Sequence, residues 1–218
     1  MTTVDGSTIS ECFALVSRVG SELVGLNETL SIMLTDSLND KSLPWVLAGE
    51  VEGDDRTDDS AWVYTDESKY LPLKARGKGK KIAERYLGYQ ISMTGSGINV
   101  LDNLQPLLHV FCWDSRSEFE EGRYLSFPLS EDDDMCPDNI VEGRLLIWNE
   151  DDGTAWNGRQ WCFSLLLTSL NSPGDLKMHV VEPALALLKG IEVLRALPDS
   201  LPALVHYPAI ELLMTQEK

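Results

Sequence analysis

Apolar residues enter this chain at steps of three and four. Ile9, Cys12, Val16, Val19, Leu23, Leu26, Leu30 and Met33 follow that alternation, which is the spacing of an a/d seam along one side of a helix. The spacing predicts a helix over residues 9 to 34. Phe13, Leu15, Val24, Ile32 and Leu34 widen the stripe beyond a coiled-coil seam. Gly20 and Gly25, each about 1 kcal/mol less favourable than Ala in a helix interior, point to a kink or a close helix contact near them. Docking of this helix on its own domain is the expected use, and self-association through it is the alternative.

From Leu43 the pattern becomes that of strands. Pro44 to Val51, then Ala61 to Tyr64, read as a hairpin around an acidic turn, Gly53 to Asp59. Further strands are expected at Tyr86 to Met93, Leu107 to Trp113, Tyr124 to Pro128, Arg144 to Trp148 and Gln160 to Leu167. No helical pattern of 10 to 15 residues separates them, which argues for an antiparallel sheet. Leu107 to Trp113 and Trp161 to Leu167 are almost continuously apolar and belong at its centre. Pro183 suits the first position of a helix over Ala184 to Leu197, with Lys189, Glu192 and Arg195 as its polar stripe, and Pro208 to Met214 reads as a second short helix. The expected fold is α+β, one domain over residues 1–218. Its parts are an N-terminal helical segment (1–40), an antiparallel sheet of about six to seven strands (43–170) and C-terminal helices packed on the sheet (182–216).

Charge narrows the choice of partners. Thirty-five Asp and Glu against eighteen Lys and Arg give a net charge of −17 in 218 residues. The acids cluster at Glu50 to Glu67, Glu118 to Glu121, Glu131 to Asp138 and Glu150 to Asp152. Such a surface repels bare nucleic acid and anionic membrane and attracts basic proteins. The exception is Lys74 to Arg85, which packs six of the eighteen basic residues into twelve positions and is the one place suited to nucleic acid. Lys74 to Lys81 has no apolar anchor before Ile82, so mobility is expected there. Cys12, Cys112, Cys136 and Cys162 are far apart, with no C-x-x-C, and read as free thiols. The start of the chain lacks a basic and apolar leader pattern, and no segment approaches the ~20 apolar residues of a membrane span. A cytoplasmic location is the expectation.

Candidate chemistry fails on spacing. Gly77-Lys78-Gly79-Lys80-Lys81 lacks the first glycine of a phosphate-binding loop and carries Lys81 and Ile82 where Ser or Thr would hold magnesium. Asn149 to Gly153 resembles a calcium loop, but the register places Trp148 and Arg159 at ligand positions. Asp54, Asp55, Asp58 or Asp59 upstream of Glu67-Ser68-Lys69 makes an Asp…Glu-x-Lys pattern that metal-dependent nucleases use, with Glu67 and Lys69 on one strand face. His109 and Cys112, three apart on a strand, point to opposite faces, and His109 reads as a core histidine. Trp113, Trp148, Trp156 and Trp161 are core candidates, and Trp156 would make a hot spot if exposed among acids. No cofactor or metal is expected. The favoured reading is an acidic protein that binds a basic partner, as an inhibitor, an immunity or antitoxin-like protein, or an adaptor. Its acidic face would comprise Asp54, Asp55, Asp58, Asp59, Glu131, Asp132, Asp133 and Asp134, with Trp156 as the aromatic contact and Lys78, Lys80 and Lys81 as a minor anion site. The alternative is a metal-dependent enzyme acting on nucleic acid or a phosphate-bearing small molecule.

Overall fold

The computed structural model describes residues 5–57, 64–77, 79, 82–93, 105–114, 137, 139–148 and 160–207. A first helix, α1 (Gly6–Leu38), runs unbroken for 33 residues, about 50 Å at 1.5 Å per residue. The Asp5 carboxylate caps its start by accepting from the Ser7 and Thr8 amides at 2.8 and 2.9 Å. Gly20 and Gly25 do not interrupt it, and neither makes a close contact with another helix: a Cβ at either would meet nothing within 4 Å.

Among the described residues eight antiparallel strands follow: β1 (Trp45–Leu47), β2 (Glu52–Thr57), β3 (Tyr64–Ala75), β4 (Arg85–Ser92), β5 (Leu107–Trp113), β6 (Asn139–Val141), β7 (Leu145–Trp148) and β8 (Gln160–Leu166). They form one sheet in the order β1-β3-β4-β5-β8-β7-β6, with β2 pairing β3 beyond the end of β1. The α+β arrangement is therefore as expected, and β5 and β8 are central and buried. The residues Gly53 to Thr57, read above as an acidic turn, instead lie in strand β2, with Asp54 opposite Ser68 and Asp55 opposite Glu67. An edge strand has one unpaired side and needs no apolar period; charge and glycine are what edges carry to discourage unwanted pairing. The expected strand Tyr124 to Pro128 and helix Pro208 to Met214 lie outside the described residues.

The start of the basic stretch has an anchor that apolar patterning does not show. Lys74 and Ala75 end β3, and Ile82, the supposed anchor, is 70% exposed. Arg76 takes the anchoring role. Its guanidinium donates to the carbonyls of Asp40 at 2.8 Å, Leu43 at 3.0 Å and Leu38 at 3.3 Å, tying the end of α1 to the start of the sheet. Lys78, Lys80 and Lys81 lie outside the described residues.

After β8 comes a continuous helical run, not the helix from Pro183 that the sequence suggested. Ser172 caps α2 (Pro173–Asp175), a π-helical stretch follows (Leu176–Val181), and α3 (Glu182–Leu188) completes the run. Pro183 is accommodated inside it. Gly190 (φ +75°) then breaks the expected Ala184 to Leu197 helix. The Gly190 amide donates to Leu187 O at 2.9 Å and the Ile191 amide to Ala186 O at 3.0 Å, the paired bonds of a Schellman stop. α4 (Val193–Ala196) resumes beyond it.

One face of the sheet carries Leu71, Leu73, Leu87, Tyr89, Ile91, Leu108, Val110 and Phe163, covered by Leu30, Leu34 and Leu38 of α1 and by the α2–α4 segment. The other face carries Tyr70, Phe111, Trp113, Leu146, Trp148 and Cys162, with Val205 and Tyr207 of the tail packed on it. Gly88 is required there, since a Cβ would lie 2.3 Å from the Phe111 ring. Residues 203–207 also continue the sheet past the end of β7: Leu166 N–H donates to Ala203 O at 2.7 Å and Val205 N–H to Ser164 O at 2.9 Å.

Candidate functional site

The helix α1 is divided along its length. Its buried residues are Asn27, Leu30, Leu34 and Leu38, all in the C-terminal part. Every residue from Asp5 to Arg18 is exposed, although the seam continues through them: Ile9 is 48% and Val16 47% exposed, with Leu15 at 57% beside them. The helix therefore projects about 20 Å of partly apolar surface past its docked half. What orients it is Tyr89 on β4, whose hydroxyl donates to Asn27 Oδ1 at 2.6 Å. Burial, with the Glu67 charge adding to it, raises the Tyr89 pKa far above its usual value, so this anchor stays protonated. A lone Asn at a core-facing position between Leu23 and Leu30 was the available sequence signal for it.

Two grooves flank the middle of α1. One, of about 420 Å³, lies against β2, β3 and β4 and is lined by Ser17, Gly20, Ser21 and Val24 of the helix and by Asp54, Asp55, Asp66, Glu67 and Lys69 of the strands. Four acidic residues border it, and two of them, Asp55 and Glu67, share the sheet face of Lys69. Lys69 Nζ sits 3.1 Å from Glu67 Oε1, and Gly53 leaves room for the lysine chain, since a Cβ there would be 2.7 Å from Nζ. Glu67 and Lys69 share a strand face as their spacing predicted. Alternation also separates the acids: Asp55 and Glu67 face α1, whereas Asp54 and Asp66 pair with Ser68 and Ser92 on the opposite face. No group of three metal-ligating side chains occurs among the described residues.

The other groove, about 710 Å³, lies on the seam side of α1 and is largely apolar. Val19, Leu23 and Leu26 form one wall, and Met93, Pro106, Leu167, Leu170 and Pro173 the other. Nothing in the apolar count of these separate segments announced it, because the walls come from four places in the chain.

The remaining candidates resolve into core. His109 is fully buried, and burial pushes its pKa down to about 3. Its Nδ1 lies 2.7 Å from Ser164 Oγ, which also accepts from the Tyr207 hydroxyl. Ser68, Gln90, His109 and Ser164 are direct neighbours across four strands, a buried polar row that the sequence reading missed. The Gln90 amide atoms, Ser92 Oγ and His109 Nε2 in or beside that row have no hydrogen-bond partner. With Ser68 5% exposed and Gln90, His109 and Ser164 at most 1%, the row offers a substrate no access. Cys112, on the opposite face from His109, is pushed up to about 12 by burial. Trp113 and Trp148 meet edge to face at 4.8 Å between centroids, and Trp161 is fully buried, as core tryptophans should be. Asp58, Asp59, Glu131 to Asp134 and Trp156 lie outside the described residues, as does Asn149 to Gly153. Among the described residues no helix is long and apolar enough to cross a membrane. The chain matches no known family profile, no curated protein and no solved structure.

Proposed function

We propose that this is a protein-binding module, in the manner of an inhibitor, immunity protein or adaptor, which takes a basic partner segment into the acidic groove beneath α1. The observation that carries this reading is the groove itself: Asp55 and Glu67 share the sheet face of Lys69 beneath α1, beside the 56%-exposed Val24, with Asp54 and Asp66 at its border. Lys69, lying over Gly53 against Glu67, occupies the place that an arginine or lysine of a partner would take. The net charge of −17 speeds encounter with such a partner, and apolar contact along α1 slows its release. Free thiols at Cys12, Cys112 and Cys162 support a reducing, cytoplasmic setting.

The same convergence of acids and lysine favours a second reading, metal-assisted hydrolysis of a nucleic acid or phosphate-bearing small molecule, and one substitution separates the two. Lys69→Ala removes an internal competitor in a binding module and should tighten capture of a Lys/Arg-rich amphipathic probe peptide by about threefold or more. Asp55→Asn with Glu67→Gln should abolish that capture, and the association rate should fall steeply between low and physiological salt. An enzyme would instead lose Mg²⁺-dependent turnover in Lys69→Ala. A probe that binds the doubly neutralised variant as well as it binds the unaltered chain ends the binding proposal.

A further inference from the structure

The seam side of α1 is self-complementary, and we infer that the occupant of its apolar groove is a second copy of this chain, with the two α1 helices antiparallel. The inference uses the other flank of α1 from the acidic residues, the two grooves sharing Leu23 and Met93 at their border, and it does not rest on the acidic groove.

Three observations lead there. The first is geometric. Ile9, Cys12, Val16, Val19, Leu23 and Leu26 hold the a and d positions of one continuous seam. An antiparallel pair sets a against d, so Ile9 meets the partner's Leu26, Cys12 meets the partner's Leu23 and Val16 meets the partner's Val19. The two-fold axis then passes between Ser17 and Arg18. Each exposed N-terminal half is thereby laid along the docked half of the other copy. The second observation is that the docked half is where a receiving wall exists. The 710 Å³ groove is lined from α1 by Val19, Glu22, Leu23, Leu26 and Thr29, which are its d, g, a, d and g positions, and from across by Met93, Pro106, Leu167, Leu170 and Pro173. One copy thus presents both the projecting knob and the receiving hole, which a closed two-fold interface requires.

The third observation is charge. Two copies carrying −17 each repel over most of their surface. Residues 6 to 21 are the exception: they contain Glu11 and Arg18, which cancel, and both sit at the outward c position. Glu22, the one charge flanking the seam in this overlap, lies across from the partner's Leu15, so no like charges meet. Because α1 is already capped and docked, association does not carry the cost of forming the helix, so six seam positions suffice where an isolated peptide would need more.

The antiparallel register has its own chemical signature. Cys12 lies beside the partner's Leu23, not beside the partner's Cys12. In a Cys136→Ser background, Leu23→Cys should give a covalent dimer on mild oxidation, while the same background without Leu23→Cys should not cross-link. Within one chain the two thiols are about 16 Å apart along the helix and cannot bridge. Sedimentation of the unaltered chain near 100 μM should show a dimer, and Val16→Asp a monomer whose thermal transition matches that of the unaltered chain diluted until it is monomeric, since Val16 lies outside the folded core. A monomeric unaltered chain, a dimer that survives Val16→Asp, or oxidation that joins Cys12 to Cys12 would each overturn the inference.

Discussion

The two halves of α1 obey the same sequence rule and meet different fates. From Leu23 to Met33 the seam rests on the domain, with Leu30 wholly buried and Leu23, Leu26 and Met33 half-buried at the margin of the core, Leu23 and Leu26 also lining the apolar groove. From Ile9 to Val16 the same seam lies open to solvent. The difference teaches that periodicity reports which side of a helix is apolar and is silent on what covers it. A docked seam and a docking seam read alike.

Substitutions along the helix should expose that contrast. The largest effect belongs to the docked half: Leu30→Ala should cost about 2–5 kcal/mol, as removal of a fully buried leucine does, read as a shift in urea midpoint at a concentration low enough to keep the chain monomeric. A loss below about 1 kcal/mol would mean that α1 is only loosely held.

Next comes the anchor. Tyr89→Phe strips Asn27 Oδ1 of its donor and should cost about 1–3 kcal/mol. Tyr89 also ties the docked half to pH. A phenol whose folded pKa is raised contributes stability that is complete below its unfolded value near 10 and falls as pH climbs above it, because there the unfolded chain releases the proton first. The unaltered chain should therefore lose up to about 1.4 kcal/mol per pH unit above 10 that Tyr89→Phe does not lose. Parallel stability curves for the two from pH 9 to 11 would show that the buried hydroxyl is not the responsible group.

A smaller effect distinguishes local from global stability. Gly20→Ala meets no neighbour and should favour the helix by about 1 kcal/mol. Because Gly20 precedes the docked half, slower hydrogen exchange across residues 7 to 20 should accompany it, with the global transition nearly unmoved. A matching rise in the global midpoint would mean that both halves unfold as one unit. Smallest of all, Val16→Ala in the dilute monomer should change stability by no more than about 0.5 kcal/mol. A loss near that of Leu30→Ala would place the exposed half inside the folding core and dissolve the contrast.

Much of the fold was legible because burial imposes a period. β4, β5, β7 and β8 are apolar stretches that burial demands, and they fall close to where the pattern placed them. What escaped had no such demand on it. β2 is an acidic edge, β3 mixes charge and proline along Tyr64–Ala75, and Arg76 acts through backbone carbonyls that leave no mark on composition. The Schellman stop at Gly190 was open to a closer reading, since a glycine after Lys189 ends helices more often than it sits inside them. The site was legible in part: Asp54, Asp55, Glu67 and Lys69 were singled out. Their meeting with α1 depends on a sheet edge folding beneath a helix some thirty residues earlier in the chain.

The tail that completes β8 sets a clock on biosynthesis. β8 ends at Leu166, yet the strand piece that pairs its outer edge begins at Ala203 and closes over Ser164 and His109 through Tyr207. About 40 residues must be translated between the two, roughly 2–8 seconds at about 5–20 residues per second. Throughout that interval the newborn sheet carries an open edge at a buried, largely apolar strand, next to a polar row whose cap has yet to be made. Ribosome pausing after residue 166 should therefore be the point in synthesis at which this chain depends most on chaperones, and codon choice across residues 167 to 207 should alter soluble yield without altering the finished protein.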